Sequence, residues 1–265
     1  MHPNTFLKTF WRLEVRPQVF VAMSFAPDYQ SRFDNVFAPA IEALSKNGVN
    51  LKPVRVDLSK TGDSILTDIN DGIAHSALVL ADVSTIHKDN KTSVAFRNAN
   101  VLYEVGVALA SRQPSEVLLV RDDRDKILFD VSTIPHATIN FDDVPAARKR
   151  LVELMQARLK QSDYLFDARV QLALSKLSKA EISVIQGVGS KTTNDGWGHG
   201  DELVSIECLN GIPRLIAEGL VVLDGEFEDG TACYRFTELG VIVSTRVLSK
   251  PKFQLQKRET GQSAN

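Results

Sequence analysis

The sequence predicts an α/β protein with a parallel sheet covered by helices on both faces, followed by a smaller α+β unit. Two observations lead to this prediction. Short apolar runs alternate with helical periodicities in the first half of the chain, which is typical of βαβ units. After residue 163 the pattern changes to helical faces around one pair of strands. The length of 265 residues, 43% of them hydrophobic, is sufficient for two packed cores.

The strands and helices of the first unit follow one another in alternation. Apolar runs and alternating patterns predict strands at residues 19–25, 49–57, 77–83, 117–120 and, as a fifth, 137–141. Apolar residues spaced by three and four predict helices at residues 33–44, 65–73 and 100–110. Gly48 stands where the first helix is expected to stop. We therefore expect a flavodoxin- or Rossmann-like sheet.

The pattern of apolar residues changes in the rest of the chain. Residues 143–164 have the periodicity of a helix that connects two domains. Residues 165–249 predict a helix, a glycine-rich loop at 187–200, a helix, two strands and a helix, which is the order of a winged-helix module. Ser178 and Glu181 have the spacing of a capping box at the start of the first of these helices. An N-terminal extension at 1–17 and a disordered tail at 250–265 complete the prediction.

Composition excludes several classes of protein. No apolar run approaches the roughly 18 residues that a membrane-spanning helix needs, and residues 1–17 lack the features of a secretory signal. Two cysteines do not make a disulfide framework. The net charge of −2 argues against generic binding of nucleic acid. We expect a cytoplasmic protein. We expect no bound metal and no cofactor, because the histidines are scattered and no glycine-rich phosphate loop is present.

The location of a site follows from the predicted sheet. Ligands of open parallel sheets bind outside the carboxyl ends of the strands. This rule selects the end of the first strand, with Met23, Ser24 and Phe25, together with Asp57 and Asp82 at the ends of the next two.

Three segments then support one family. Residues 98–106 (NANVLYEVG), with VFVAMSF in the first strand and LADVS at the end of the third, resemble the nucleoside 2-deoxyribosyltransferase-like and TIR-like nucleotide-binding superfamily. The resemblance covers residues 18–125 and assigns the nucleotide domain to 18–142. It implies cleavage or transfer at the N-glycosidic bond of a nucleoside or nucleotide, with Glu104 in the place of the catalytic glutamate. Ala99 and Val105 depart mildly from the pattern of the family.

The residue types in this pattern suit that chemistry. Cleavage of an N-glycosidic bond develops positive charge at C1′, which the carboxylate of Glu104 can stabilise or attack. A second carboxyl group that stays protonated helps the base to leave, and Asp82 is the first candidate, with Asp57 a weaker one. The remaining candidates would bind the substrate: Asn98 and Asn100 the sugar hydroxyls, Tyr103 the base, and Met23, Ser24 and Phe25 the wall of the pocket.

Structural interpretations stand beside these functional ones. Glu104 is equally compatible with a solvated helix position, and Asp82 with a cap on the turn after the strand. Asn98 and Asn100 suit helix N-caps. Residues 84–97 are longer than the link that the family pattern has here. They are either a lid whose Lys88, Lys91 and Arg97 bind phosphates, with His87 beside them, or a solvated insertion.

The resulting hypothesis is an N-glycosidase acting on a nucleotide, either NAD or a deoxynucleotide. Fusion to a winged helix resembles toxic effectors of bacterial antiphage defence, including retron-associated ones. From residue 165 onward there are 11 Lys and Arg against 13 Asp and Glu. This balance favours a protein partner or self-association through the winged helix over nucleic acid, which stays open. The alternatives are a non-catalytic nucleotide sensor and a winged-helix DNA-binding regulator.

Overall fold

The computed structural model describes residues 15–46, 48–56, 65–123, 125, 134–198 and 206–249. The chain divides into two compact units, Met1–Phe166 and Asp167–Asn265. In chain order the strands of the first unit are β1 (Arg16–Ala22), β2 (Ser45–Lys46), β3 (Val49–Asn50), β4 (Lys52–Val54), β5 (Ser76–Asp82), β6 (Thr85–Lys88), β7 (Ala95–Arg97), β8 (Val117–Arg121) and β9 (His136–Thr138). Its helices are α1 (Pro27–Arg32), α2 (Ala38–Glu42), α3 (Ile65–His75), α4 (Ala99–Ser111) and the start of α5 (Val144–Lys176).

A five-stranded parallel sheet forms the centre of the first unit, with strand order β4-β1-β5-β8-β9. The register pairs Val19 with Leu78, and Asp82 with Val120. Counted along the chain, the order of the five strands is 2-1-3-4-5, which is the order of doubly wound sheets of the flavodoxin type. All seven residues of β5 are buried, as expected for a strand covered on both faces. The predicted parallel sheet between helices is therefore confirmed.

Two separate cores lie on the two faces of this sheet. On one face, Phe37, Ile41 and the α5 residues Leu151 and Met155 pack together. On the other face, Ile73 of α3 and three residues of α4 pack against β1, β5 and β8: Val101, Val105 and Ala108. The three α4 residues recur at spacings of four and three, so one stripe of the helix is held against the sheet.

The helix after β1 contains a wide turn. It begins at Pro27, earlier than predicted, because proline suits the first turn, where its missing N–H is not needed. Between α1 and α2, residues Phe33–Phe37 form one π-helical turn. Such a turn adds one residue to the helical register and occurs frequently at functional sites.

Two predicted segments differ from the structure. Residues 49–56, the described part of the strand predicted at 49–57, do not form one strand: β2 and β3 make a small antiparallel hairpin, and only Lys52–Val54 joins the sheet. Gly48 lies in the hairpin turn at φ +79°, a value that glycine adopts without strain, while the preceding helix ends at Glu42. Residues 84–97 contain a second antiparallel hairpin, formed by β6 and β7.

In its described residues the second unit contains the end of α5 and the helices α6 (Lys179–Val188), α7 (Ile206–Ala217) and α8 (Glu238–Ser249). Its strands β10 (Val221–Glu226) and β11 (Ala232–Phe236) are antiparallel, and the backbone of Trp197 adds a bridge to Tyr234 of β11. The predicted capping box of Ser178 and Glu181 is present at the start of α6. None of the described helices is long and apolar enough to cross a bilayer.

Candidate functional site

Polar and charged side chains collect where parallel strands end. Ser24 follows β1, Arg55 follows β4, Asp82 closes β5, and Asp122 follows β8. The switch point of a 2-1-3-4-5 sheet lies between its first and third strands, which here are β1 and β5. Ser24 and Asp82 therefore lie at the position in the sheet that ligand sites of this architecture use.

Asp82 is buried, with a relative exposure of 3%. Its Oδ1 accepts hydrogen bonds from the Ser84 amide at 3.0 Å and from the Ser84 hydroxyl, and its Oδ2 accepts one from Arg32 at 3.2 Å. Burial raises the pKa of the Asp82 carboxyl group, while Ser84 and Arg32 act in the opposite direction. The side chain thus caps the turn after β5, as one interpretation of the sequence expected, and also binds an arginine.

Arg32 reaches this carboxylate from the end of α1. Its guanidinium also pairs with Asp122 and contacts the Ser84 hydroxyl. The same group lies over the rings of Tyr29 and Phe141, at 4.6 and 4.5 Å from their centroids. Burial lowers the pKa of Arg32, but the two carboxylates outweigh it and hold that pKa above its ordinary value. Arg32 therefore connects the ends of β5 and β8.

Tyr29 of α1 lies beside the charged side chains of Arg32 and Asp82. It is buried, and its hydroxyl donates to the carbonyl of Thr85 at 3.3 Å. Burial, together with Asp82, raises the pKa of Tyr29 to about 12. The phenol is therefore protonated at any physiological pH and serves as a hydrogen-bond donor.

The three residues after β1 differ in how far they are exposed to solvent. Met23 and Ser24 are buried, and the Ser24 hydroxyl accepts the amide of Ala26 at 3.2 Å. Phe25 is 45% exposed. Of the three predicted wall residues, only Phe25 presents a large side-chain surface to solvent.

Arg55 stacks on the ring of Phe25 and leaves it 45% exposed. Its guanidinium carbon lies 3.8 Å from the centroid of Phe25, and its nitrogens donate to the Ser24 carbonyl at 2.9 Å and to Gln30 at 3.0 Å. A planar guanidinium stacks on an aromatic face while its edge still donates hydrogen bonds. Arg55 thus ties the end of β4 to the end of β1.

Glu104 lies on α4 between the buried positions Val101 and Val105. Burial raises the pKa of Glu104 to about 7, and the positive charge of Arg55 acts against the rise. Within the described residues the Glu104 carboxylate accepts no hydrogen bond. A partly buried carboxyl group that is half ionised at neutral pH can accept or donate a proton, which is the property of an acid–base or nucleophilic residue.

The other predicted residues of this helix have mixed roles. Asn98 is the N-cap of α4, and its Oδ1 accepts the amides of Asn100 at 3.0 Å and Val101 at 3.3 Å. Asn100 is exposed, and Tyr103 is 48% exposed. The helix-cap interpretation holds for Asn98, and its side-chain amide still has donors to offer.

Asp82 and Glu104 have separate partners among the described contacts. Asp82 binds Ser84 and Arg32, whereas Glu104 interacts with Arg55. Asp82 and Glu104 thus interact with two different arginines. Asp57, the weaker predicted acid, lies outside the described residues.

The basic residues of the β6–β7 hairpin are largely committed to ion pairs. Lys88 binds Asp125 at 2.7 Å, and Arg97 binds Asp123 at 2.9 Å. His87 stacks on Phe96 with the ring centroids 6.0 Å apart. Two of the three basic side chains suggested for a phosphate-binding lid thus tie the hairpin to the segment after β8.

Sequence reasoning missed the arginines of the site and Asp122. Asp122 directly follows a predicted strand, so the strand-end rule that selected Asp82 could have selected it. Arg32 and Arg55 carry no such local signal, because their partners lie 50 and 31 residues away. In the part of the chain that the structure describes, no group of three or more His, Cys, Asp or Glu side chains is placed to hold a metal ion.

Comparisons with known proteins leave the family open. A scan against models of protein families finds no match, and a search among curated proteins finds no significant one. The resemblance drawn from three sequence segments therefore stays a prediction.

Proposed function

We propose that the first unit is an N-glycosidase that cleaves the base–sugar bond of a nucleotide, either NAD or a deoxynucleotide. One observation carries the proposal: Glu104 on α4 has a pKa of about 7 and interacts with the charge of Arg55, the residue after β4. A solvated helix glutamate would titrate near 4.3.

The proposed reaction uses the ionised form of Glu104. The bond between C1′ and the base nitrogen breaks, and its electron pair leaves with the base. The carboxylate stabilises the positive charge at C1′ or bonds to it. Water then adds to C1′, and where Glu104 has bonded to C1′ this addition breaks the C1′–oxygen bond and frees the carboxylate. The water loses a proton to Glu104, so that hydrolysis yields the free base and the rest of the nucleotide with a hydroxyl at C1′. If a second base takes the place of water, the reaction is a transfer.

A purine or pyrimidine that leaves a deoxynucleotide needs a proton, and Asp82 is the proposed donor. Nicotinamide leaves NAD as a neutral base and needs none. Support for Asp82 comes from its buried position, which raises its pKa. Its bonds to Ser84 and Arg32 also suit a second role, in which it holds Arg32 in place. We include the donor role in the proposal.

The substrate would lie against aromatic surface. Phe25 and Tyr103 both expose close to half of their area, and flat bases stack favourably on such rings. Asn98 and Asn100 supply amide donors for sugar hydroxyls. Met23 and Ser24 contribute backbone and buried side-chain surface.

For the second unit we propose a winged-helix module that binds a protein partner or a second copy of the chain. The antiparallel strands β10 and β11, with the Trp197 bridge to β11 and α7 packed against β10, support the module. Exposed acidic residues of the β10–β11 turn, Glu226, Glu228 and Asp229, disfavour a nucleic-acid backbone. With such a module, the whole chain fits a toxic effector of antiphage defence.

Base release from a panel of NAD, ribonucleotides and deoxynucleotides tests the enzymatic proposal. We expect wild type to release free base, and Glu104→Gln to lose at least about 100-fold in rate while it stays folded. Glu153→Gln, at an exposed position of α5, is the matched control and should keep full activity. Undiminished turnover in Glu104→Gln contradicts the proposal. A ligand that binds tightly and stays intact supports a sensor instead.

A further inference from the structure

Arg97 stands between the β6–β7 hairpin and the helix that carries Glu104. It is the last residue of β7 and precedes Asn98, the N-cap of α4. Its side chain is only 3% exposed. A buried arginine requires full pairing, because removing its partner leaves an uncompensated charge.

The partner of Arg97 is Asp123, directly after β8. The two guanidinium nitrogens donate to the two carboxylate oxygens at 2.9 and 3.2 Å, and the same group donates to the carbonyls of Val83 and Asp125. This is the bidentate geometry that lysine does not reproduce. Arg97 thus contacts the chain just after β5 and just after β8.

Asp123 extends the connection. It also accepts the amide of Thr85 at 2.8 Å, where the hairpin starts, and that of Asp125 at 2.9 Å. Burial raises the pKa of Asp123, but the bonds from Arg97 and Thr85 outweigh it and place the pKa below its ordinary value. The carboxylate is therefore ionised whenever the protein is near neutral pH.

One ion pair therefore joins four points: the exits of β5 and β8 and the starts of the hairpin and of α4. The chain leaves the central sheet after Val83, and the β6–β7 hairpin that follows is not a part of that sheet. If the start of α4 is fixed, the position of Glu104 along the helix axis, about 10 Å further on, is fixed as well.

We propose that Arg97, through its pair with Asp123, is a positioning residue that holds α4 so that Glu104 faces the ends of the strands. The inference rests on the proposed function of Glu104. It adds to that function the part of the chain that keeps the carboxylate in place.

The test compares both ends of α4. Arg97→Met removes the pair at the start of the helix. Arg112→Met removes a similarly buried arginine at its end, which binds Glu116 at 3.0 Å and the carbonyls of Ile73 and Ala74. Both variants should lose stability. Only Arg97→Met should shift the titration midpoint of Glu104, which carbon-13 NMR of labelled glutamate measures. Only this variant should also lower kcat, about tenfold or more, with a smaller change in KM.

Arg97→Lys keeps the charge and replaces Arg97→Met in the test if that variant fails to fold. We expect Arg97→Lys to shift the Glu104 midpoint in the same direction as Arg97→Met, but by less. An unchanged midpoint in a folded Arg97 variant, or an equal shift in Arg112→Met, overturns the inference. The NMR midpoint needs no substrate. If wild type releases no base, the glycosidase proposal fails, whereas the positioning of Glu104 is still decided.

Discussion

The guanidinium carbon of Arg55 lies 3.8 Å from the ring centroid of Phe25, and its charge is the one that restrains the pKa of Glu104. An aromatic ring at the end of β1 therefore holds in place the cation that tunes a carboxyl group on α4. Because burial and Arg55 act in opposite directions, the midpoint of about 7 is a balance that one substitution can move.

Replacement of Arg55 by methionine should raise that midpoint above 7, because burial then acts without opposition. The acidic limb of the pH–rate profile should move upward with it, since the proposed reaction needs the carboxylate. Carbon-13 NMR titration of Glu104 measures the shift. Arg55→Lys keeps a positive charge and should move the midpoint less. An Arg55→Met protein that titrates like wild type would show that the charge of Arg55 does not reach Glu104.

Glu104→Gln should stabilise the fold at alkaline pH. The folded state keeps the proton of Glu104 up to about pH 7, whereas the unfolded chain releases it near 4.3. Between these values the folded state binds more protons, so the stability of wild type falls as pH rises. After allowance for partial exposure, we expect the variant to be about 1–2 kcal/mol more stable at pH 8 and equal at pH 4. Urea unfolding at both pH values measures the difference.

Asp82→Asn should destabilise the first unit by about 2–4 kcal/mol, because an amide nitrogen then faces the guanidinium of Arg32 and this partly buried cation loses one partner. Asp34→Asn is the control: its exposed carboxylate accepts hydrogen bonds from Gln30, and the change should stay within about 0.5 kcal/mol. Chemical unfolding compares the two. A loss in Asp82→Asn no larger than that of the control would argue against the described pairing.

Two glycines should respond to alanine in opposite ways. A Cβ at Gly240 of α8 would lie 1.9 Å from the carbonyl oxygen of Leu220, so Gly240→Ala should destabilise the second unit strongly. At Gly106 of α4 an added Cβ meets no atom within 4 Å, and alanine should stabilise the helix by about 0.5–1 kcal/mol. Thermal melts of both variants report the sign of each effect. A neutral Gly240→Ala would contradict the close approach of α8 to the backbone of Leu220.

The parts of the fold that follow local patterns were predictable. The apolar runs of β1 and β5 and the stripe on α4 are visible in the sequence because burial on a sheet requires them. Asp82 and Asn98 were found by position, one at a strand end and one before an apolar helix face. The capping box of α6 belongs to the same class.

The parts that depend on distant partners were not predictable in the same way. The β6–β7 hairpin exposes Ile86 and Phe96. Its strands therefore lack the buried face that produces a recognisable apolar pattern in the sequence. Its bonds to Asp123 and Asp125 come from the chain more than 25 residues away. Residues 49–57 alternate like a strand, yet the short β2–β3 hairpin takes part of them. Alternation alone does not tell a central strand from a hairpin.

The π-helical turn at Phe33–Phe37 has a consequence for Phe141. Arg32 lies over the ring of Phe141, and Phe37 stacks on the same ring at 5.5 Å. In a regular α-helix two residues five apart point roughly 140° away from each other. A π turn, with about 4.4 residues per turn, reduces that angle to roughly 50°. The extra residue of the π turn thus brings the side chains of Arg32 and Phe37 to the same side of the helix, where both contact the ring of Phe141.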